Sequence, residues 1–383
     1  MPNNWIEIDE AALVANYRAL QTAAGLETAI LAVVKSNAYG HGAEACSKIL
    51  VHAGARWLGV TCAAEGARIR QLLGGATTHI LVMCGPLPDD TALLQEHCLT
   101  PTIWTDEHVE WLRAAPIPVH VEVDTGMGRQ GVRPGPELAL LLEKMASANL
   151  PLEGIFTHFT SSEDFASPLT QRQQARFEQA IAQIRALGLK PKFIHAGNSS
   201  TIDNPPQPTP WLANLAASIG ARAMVRPGIA LYGYVLPIFC SSETAGPGIP
   251  QVAPELKPIM TWKAHVLSVT DLAPGETIGY NATYTAAAPM RVALLPVGYA
   301  DGLRRELSST NQKPGGWVIL HGQRAPILGR VSMNLTVVDV TAIPNVVPND
   351  EAIVLGEGIT ADDHGRLACT ISYEILCGIH PCN

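Results

Sequence analysis

The 383-residue sequence lacks any uninterrupted apolar stretch long enough to span a bilayer, and its start, MPNNWIEIDE, lacks the basic and then apolar layout of a signal peptide. It also lacks an excess of positive charge. Lysine and arginine number 26 against 34 aspartate and glutamate, with no long run of either sign, which argues against nucleic acid or an anionic membrane as the main partner. Small molecules fit better. Eight cysteines, at positions 46, 62, 84, 98, 240, 369, 377 and 382, form no CxxC pair and no His/Cys ligand spacing, so no metal site is expected. These features predict a soluble, cytoplasmic protein whose cysteines are reduced and mostly buried as small hydrophobes.

What is present is a repeated alternation. From Ala29 to Gly233, eight short apolar runs (AILAVV, WLGV, HILVM, TPTIW, VHVEV, LEGIFT, KFIHA and AMVR) are separated by segments of helical periodicity such as QRQQARFEQAIAQIRALG. Strand then helix, eight times over, predicts a (β/α)8 barrel. A doubly wound sheet would usually have fewer strands and a glycine-rich phosphate turn after the first, which is missing here. After about residue 240 the texture changes. The Ser/Gly/Pro-rich SSETAGPGIPQVAPELKP reads as a linker or loop. The β-rich segments MTWKAHVLSVT, RVALLPVGYA, WVILHG, APILGRVSMNLTVVDVT and EAIVLGE follow, with a short helix near TISYEILCG. The expectation is a barrel over residues 1–240 and a mostly β domain over 241–383, with residues 1–9 a candidate strand to pair with the second domain.

Barrel enzymes place their chemistry at the C-terminal ends of the strands. The first run ends at Lys35, with Tyr39 four residues on, and the fifth ends at Glu122 and leads into DTGMGR, containing Asp124 and Arg129. His158 closes the sixth, Asn198 and Ser199 follow the seventh, and Arg226, Gly228 and Ile229 follow the eighth. Singly, each has a plainer explanation. His158 suits a structural hydrogen bond, DTGMGR a turn, Asn198 and Ser199 a helix cap, and Arg226 a salt-bridged wall. Even Lys35 could cap a helix or snorkel. Together they converge on one rim. A rim lysine suits an imine with a carbonyl compound, and a tyrosine, a serine and the backbone N–H groups of Gly228 and Ile229 suit a phosphate. Pyridoxal 5′-phosphate (PLP) meets both requirements and delocalises charge from an amino acid's α-carbon.

AVVKSNAYGHG, joined in order by DTGMGR, THF, HAGNSS, MVRPGIALYG, ETIGYNATYT, VGYADG, GRVSMN and TISYE, resembles the motif series of the alanine racemases over nearly the whole chain. The resemblance implies a PLP enzyme with a barrel and a C-terminal β domain, working as a head-to-tail homodimer with shared active sites. Lys35 would carry PLP and act as the base on one face of the substrate. Tyr39, Ser199, Gly228, Ile229 and Tyr373 would bind the phosphate, Arg226 would donate to the ring nitrogen, His158 would neighbour Arg226, and Asn198 would support the network. Arg129 would contact the cofactor's hydroxyl and the substrate carboxylate. Tyr280 of the partner subunit would be the second base, Met333 would offer its backbone N–H to the carboxylate, and Tyr299 and Tyr373 would narrow the entrance to a small side chain. The implied reaction is interconversion of L- and D-alanine, supplying D-alanine for peptidoglycan.

The sequence also departs from that family. Many members carry a lysine, modified to a carbamate, where Glu122 stands, so Glu122 is expected to orient Arg129 without modification. The usual aspartate after the methionine is Asn334, which bears on substrate preference, and the chain ends CGIHPCN where many relatives have a basic, proline-containing tail. Three other readings compete: a serine or broad-specificity racemase of the same fold, a related PLP-dependent decarboxylase, and a PLP-carrying barrel protein without turnover. The motif order and the segment supplying Tyr280 disfavour the last two.

Overall fold

The structure, a computed structural model, describes residues 3–74, 77–114, 116–164, 167–204, 208–239 and 250–381. The chain divides into two compact units. One comprises Glu10–Ala38 and Gly42–Lys257, the other Met1–Asp9, Tyr39–His41 and Pro258–Asn383. The expected boundary between residues 240 and 241 lies outside the described residues.

The chain opens with strand β1 (Asn4–Ile8), and the first unit is a closed barrel of eight parallel strands: β2 (Ala29–Val33), β3 (Trp57–Val60), β4 (His79–Val82), β5 (Thr100–Ile103), β6 (Val119–Glu122), β7 (Leu152–Phe156), β8 (Phe193–His195) and β9 (Arg222–Val225). Closure comes from β2 against β9, with Ala29 opposite Met224 and Ile30 opposite Val225. All eight runs read from the sequence became these strands. They are continuous rather than alternating because both faces of a parallel barrel are buried, one by the interior and one by helices. The helix Glu10–Ala24 buries Ala12, Leu13, Asn16, Tyr17, Leu20 and Ala24, a helical spacing. Its one buried polar side chain, Asn16, donates to Leu231 O (3.0 Å) and Lys257 O (2.9 Å) and accepts from Lys257 N–H (3.0 Å), so it is satisfied.

Aromatic rings pack together across four of the barrel strands. Trp57 stacks on His79 with centroids 4.4 Å apart and packs against His120 and Phe193 at 5.3 and 5.2 Å. Gly154 on β7 makes room for this layer, because a Cβ there would stand 2.6 Å from the His120 ring.

The second unit is an eight-stranded sheet built from β1, β10 (Met260–His265), β11 (Ser268–Leu272), β14 (Met290–Leu295), β15 (Trp317–Leu320), β16 (Gln323–Leu328), β17 (Thr336–Asp339) and β18 (Glu351–Leu355). Between them, β12 (Thr277–Ile278) and β13 (Tyr284–Thr285) form a separate hairpin. In the sheet the order is β1-β10-β18-β15-β16-β17-β14-β11. The first strand, WIEI with Asn4, pairs antiparallel with β10 from Asn4 opposite Ala264 to Ile8 opposite Met260. On β10, Met260, Trp262 and Ala264 are buried while Thr261, Lys263 and His265 are half-buried, the two-residue period of a sheet with one packed face. Lys263 bridges Glu7 (3.0 Å) and Glu351 (3.1 Å) on the strands either side of it. The short helix expected near TISYEILCG is Ser372–Cys377, and a second one, Ala361–Leu367, begins at a Thr360 cap whose hydroxyl accepts from Asp363 N–H.

The cysteines correct one expectation. Among the described residues only Cys46 is buried, whereas Cys62, Cys84, Cys98 and Cys369 are exposed and Cys377 is half-buried. The exposed ones lie in bends and turns, where a small residue is tolerated without being packed.

Candidate active site

Lys35 follows β2 and begins a turn of opposite hand to an ordinary helix. Ser36, Asn37, Ala38 and Tyr39 have φ of 54°, 55°, 54° and 53°. Left-handed backbone costs an L-residue about 1–2 kcal/mol, so four in succession require compensating bonds. These are present. Ser36 N–H donates to Glu65 Oε1 (3.0 Å), Ala38 N–H to Val34 O (2.8 Å) and Gly42 N–H to Asn37 O (2.9 Å), while Asn37 Oδ1 accepts from Ala43 N–H (2.9 Å). The turn holds the backbone after Lys35 at the C-terminal end of the first barrel strand.

Arg226 follows β9 and is almost fully buried. Its Nη2 donates to Thr157 O (2.7 Å) and contacts His158 Nδ1 (3.2 Å), its Nη1 contacts His195 Nδ1 (3.3 Å), and its guanidinium lies 4.9 Å from the Phe156 ring centroid. Burial pulls its pKa down to about 10, so it stays charged at neutral pH. None of its bonded partners is a carboxylate. Nε is buried and has no partner among the described residues. Burial and the charges of Arg226, Arg129 and Lys35 push His158 down to about 3, so both histidines touching Arg226 are neutral acceptors there; His195 is likewise held well below the usual range by burial, by His120 and by Arg226.

Beside Arg226, the helix Ser199–Asp203 starts at Asn198, whose Oδ1 accepts from Thr201 N–H (3.1 Å). Asn198 therefore is a helix cap, the plainer of its two sequence readings. Ser199 Oγ accepts the N–H of Gly228 (3.1 Å) and of Ala230 (3.2 Å), and Ile229 begins a short 3-10 helix to Tyr232. The Gly228 amide expected to face a phosphate directly is thus bonded to the Ser199 hydroxyl.

Glu122 requires a correction. It is buried, but its hydrogen-bond partner is Gln130, whose Nε2 also donates to Met83 O (3.0 Å). Arg129 is exposed and, among the described residues, forms no ion pair with Glu122; it acts on that carboxyl only at longer range, with Arg226. Burial raises Glu122 to about 7, so it does not carry the full negative charge expected of it. The reason is local: Arg129 ends a turn whose Asp124 Oδ1 accepts from Gly126 N–H (2.9 Å) and Gly128 N–H (3.1 Å), which leaves its side chain in solvent.

The sequence reading missed the residues beneath Arg226. His195 Nε2 lies 2.8 Å from His120 Nδ1, His120 Nε2 lies 3.9 Å from Glu153 Oε2, and Glu153 Oε1 pairs with Lys192 Nζ at 3.0 Å. The available signal was two histidines inside apolar strand runs, in VHVEV and KFIHA.

The second unit holds the remaining candidates. Tyr39 is buried and its ring centroid is 6.0 Å from that of Tyr373; burial, with Tyr373 and Cys377 adding to it, pushes its phenol well above the ordinary value of about 10. Tyr299 N–H donates to Ser332 O (3.0 Å) and Ala300 N–H to Met333 O (2.9 Å), so VGYADG and VSMN run side by side. Tyr280 and Tyr299 line a cavity of about 560 Å³ with Leu303, Arg304, Arg305 and Val331. Tyr280, Tyr299, Met333, Leu335 and Ile371 are exposed large side chains, at 67, 45, 56, 42 and 49%, and Asn334 is exposed beside Met333.

Residues 8–236 match the family model described as alanine racemase, N-terminal domain, and residues 259–382 match alanine racemase, C-terminal domain. This chain belongs to the alanine racemase family. An alanine racemase from Syntrophobacter fumaroxidans is 36% identical over 99% of this chain and 96% of its own. The solved alanine racemase from Streptomyces coelicolor superposes with a TM-score of 0.83 at 31% identity, covering 99% of this chain and 96% of that one. An alanine racemase from Bartonella henselae, solved with covalently bound pyridoxal phosphate, has a TM-score of 0.80 at 26% identity over 99% and 98% of the two chains. Alanine racemases are PLP-dependent isomerases, and the barrel followed by a strand-rich domain is their architecture.

Proposed function

We propose that this protein interconverts L- and D-alanine with PLP, using Lys35 on one face of the substrate and Tyr280 of the partner subunit on the other. The observation that carries the cofactor reading is Arg226: a buried, charged donor with a partnerless Nε and only neutral acceptors on its other nitrogens. Such a group suits an unprotonated ring nitrogen as acceptor. When bound, PLP supplies an electron sink for the negative charge that proton removal leaves on the substrate's α-carbon.

The protein's residues do the rest. Lys35 would hold the cofactor and move the proton on one face. Ser199, with the Gly228 and Ile229 backbone, and Tyr39 and Tyr373 would hold the phosphate. His158 and Asn198 keep their neighbours in place, the first through Arg226 and the second by capping the Ser199 helix. Arg129, which is exposed, would reach the substrate carboxylate, and Met333, Tyr299 and Asn334 would frame the substrate from the partner's side. Glu122 would support the rim through Gln130 rather than through Arg129. Racemisation requires removal and return of a proton on opposite faces, which two bases accomplish.

The exposed Tyr280, Met333 and Ile371 support a homodimer with shared sites. A cytoplasmic setting and a supply of D-alanine to peptidoglycan agree with the chemistry; among the described residues no helix is long and apolar enough to cross a membrane. The test of the shared site is complementation. Lys35→Ala and Tyr280→Ala chains, each inactive, should regain D-alanine formation when mixed under conditions where subunit exchange is demonstrated; no recovery despite exchange contradicts the proposal.

A further inference from the structure

Tyr299 and Met333 are exposed, but the backbone that carries them is tied to a buried carboxylate. Residues 298–301 of VGYADG form a four-residue turn with Tyr299 and Ala300 at its corner. Asp301 holds Gly298 twice, its N–H donating to Gly298 O (3.0 Å) and its Oδ2 accepting Gly298 N–H (2.9 Å). The turn lies directly on the backbone of GRVSMN. Tyr299 N–H donates to Ser332 O and Ala300 N–H to Met333 O, and a Cβ on Gly298 would stand 2.2 Å from Ser332 O and 2.4 Å from Met333 O. Any shift of Gly298 therefore moves both tracts.

The other carboxylate oxygen reaches the sheet. Asp301 Oδ1 accepts from Asn4 Nδ2 (3.3 Å), and the two side chains are buried, at 1 and 2% exposure. Asn4 begins β1; its Nδ2 also donates to Pro296 O (2.9 Å), and its Oδ1 accepts from Trp262 Nε1 (3.2 Å) on β10. Thr336 Oγ1 donates to Val297 O (2.7 Å), and His380 N–H donates to Asp301 O (2.9 Å). All of these residues belong to the second unit.

We propose that Asp301 is a positioning residue that sets the main chain of Tyr299 and Met333 for the substrate, with Asn4 as its anchor in the sheet. Under the proposed function, on which this assignment rests, Tyr299 narrows the entrance and the Met333 N–H meets the substrate carboxylate. Asp301 acts through the Gly298 turn. An ionised carboxylate suits the place because both of its oxygens accept, so one side chain serves a backbone N–H and a side-chain amide together. An asparagine offers one oxygen and would turn a donor toward a donor.

The experiment compares wild type, Asp301→Asn, Asn4→Ala and, as a control for lost stability alone, Val318→Ala in the buried face of β15. Hydrogen exchange of the full-length protein, read by mass on the peptides containing residues 298–303 and 331–335, needs no substrate. It is measured beside KM and kcat for L-alanine in the PLP-loaded protein. Asp301→Asn and, to a smaller degree, Asn4→Ala should speed exchange in those two peptides while the rest of the sheet keeps its wild-type rates. Asp301→Asn should also raise KM about tenfold with kcat changed far less, as loss of a hydrogen bond to a charged group that serves binding does. Val318→Ala should speed exchange across the sheet and leave KM where it is. An Asp301→Asn protein that matches Val318→Ala in exchange or in KM, or whose two peptides exchange as in wild type, would overturn the proposal. A wild type without alanine turnover would contradict the proposed function, and the exchange pattern would still decide the positioning.

Discussion

Arg226 Nη1 lies 3.3 Å from His195 Nδ1, and because a guanidinium only donates, that contact fixes the ring's tautomer. His195 must carry its proton on Nε2, where it meets His120 Nδ1 at 2.8 Å, so His120 in turn carries its proton on Nε2. One cation at the barrel rim thereby orders two buried rings beneath it. The expected observation is two neutral Nε2–H imidazoles in the nitrogen-resolved NMR spectrum of histidine-labelled protein, unchanged on acidification to about pH 5. Either ring found as the Nδ1–H tautomer would break the chain of donation at that residue.

Those rings also make stability depend on pH. Burial holds His120 to about 3 and His195 well below the usual value, whereas the unfolded chain's histidines take up protons near about 6.5. The folded state therefore cannot follow the unfolded state in binding protons. Stability is fully present above about pH 6.5 and falls below it, by up to about 1.4 kcal/mol per pH unit for each such group. Urea midpoints measured from about pH 8 down to about pH 5 should decline steadily below neutrality; a flat profile contradicts the buried-neutral assignment.

Glu122 has the opposite sign. Its folded pKa of about 7 lies above that of an ordinary glutamate, so its proton stabilises the fold at low pH and that contribution is lost as pH rises through about 7. Glu122→Gln resembles the protonated form and keeps an oxygen for Gln130. Relative to wild type, the variant should gain stability between about pH 4.5 and pH 7, read from urea midpoints at the two ends. A difference that does not change with pH would show Glu122 to be ionised throughout.

Much of this was legible in the sequence, for physical reasons that differ by element. The eight barrel strands stood out because burial on both faces writes continuous apolar runs, as in AILAVV and LEGIFT. Lys35, His158, Ser199 and Arg226 stood out because chemistry collects at strand ends. The link from Arg226 through His195 to His120 was not legible, since it depends on the depth of each ring inside a closed barrel and not on spacing along the chain. Nor was the choice of Gln130 over Arg129 by Glu122: both follow the same turn, and only the path of that turn decides which side chain returns. The two-residue strands Thr277–Ile278 and Tyr284–Thr285 are too short to write a period.

Gly154 is a packing requirement in the barrel interior. A Cβ there would stand 2.6 Å from His120, which is itself held between His195 and Trp57. Gly154→Ala should cost about 1–3 kcal/mol through overpacking, measured as a fall in the urea midpoint; an unchanged midpoint would show that His120 is free to move.

Ser199 serves two amides before any ligand is considered. Ser199→Ala leaves the Gly228 and Ala230 N–H groups without their acceptor, at about 1–3 kcal/mol for a buried unsatisfied group. The variant should lose stability without PLP and bind PLP more weakly, by fluorescence or absorbance titration. Weakened binding with no loss of cofactor-free stability would mean that the serine acts on the phosphate alone.

The most direct test of the two-base account follows L-alanine in deuterated water with the PLP-loaded full-length protein, measuring D-alanine formation and α-deuterium incorporation beside Lys35→Ala and Tyr280→Phe. The account expects wild type to do both, and both variants to lose D-alanine formation. Full D-alanine formation by either variant, or a wild type that binds PLP and neither racemises nor exchanges the α-proton, would contradict it.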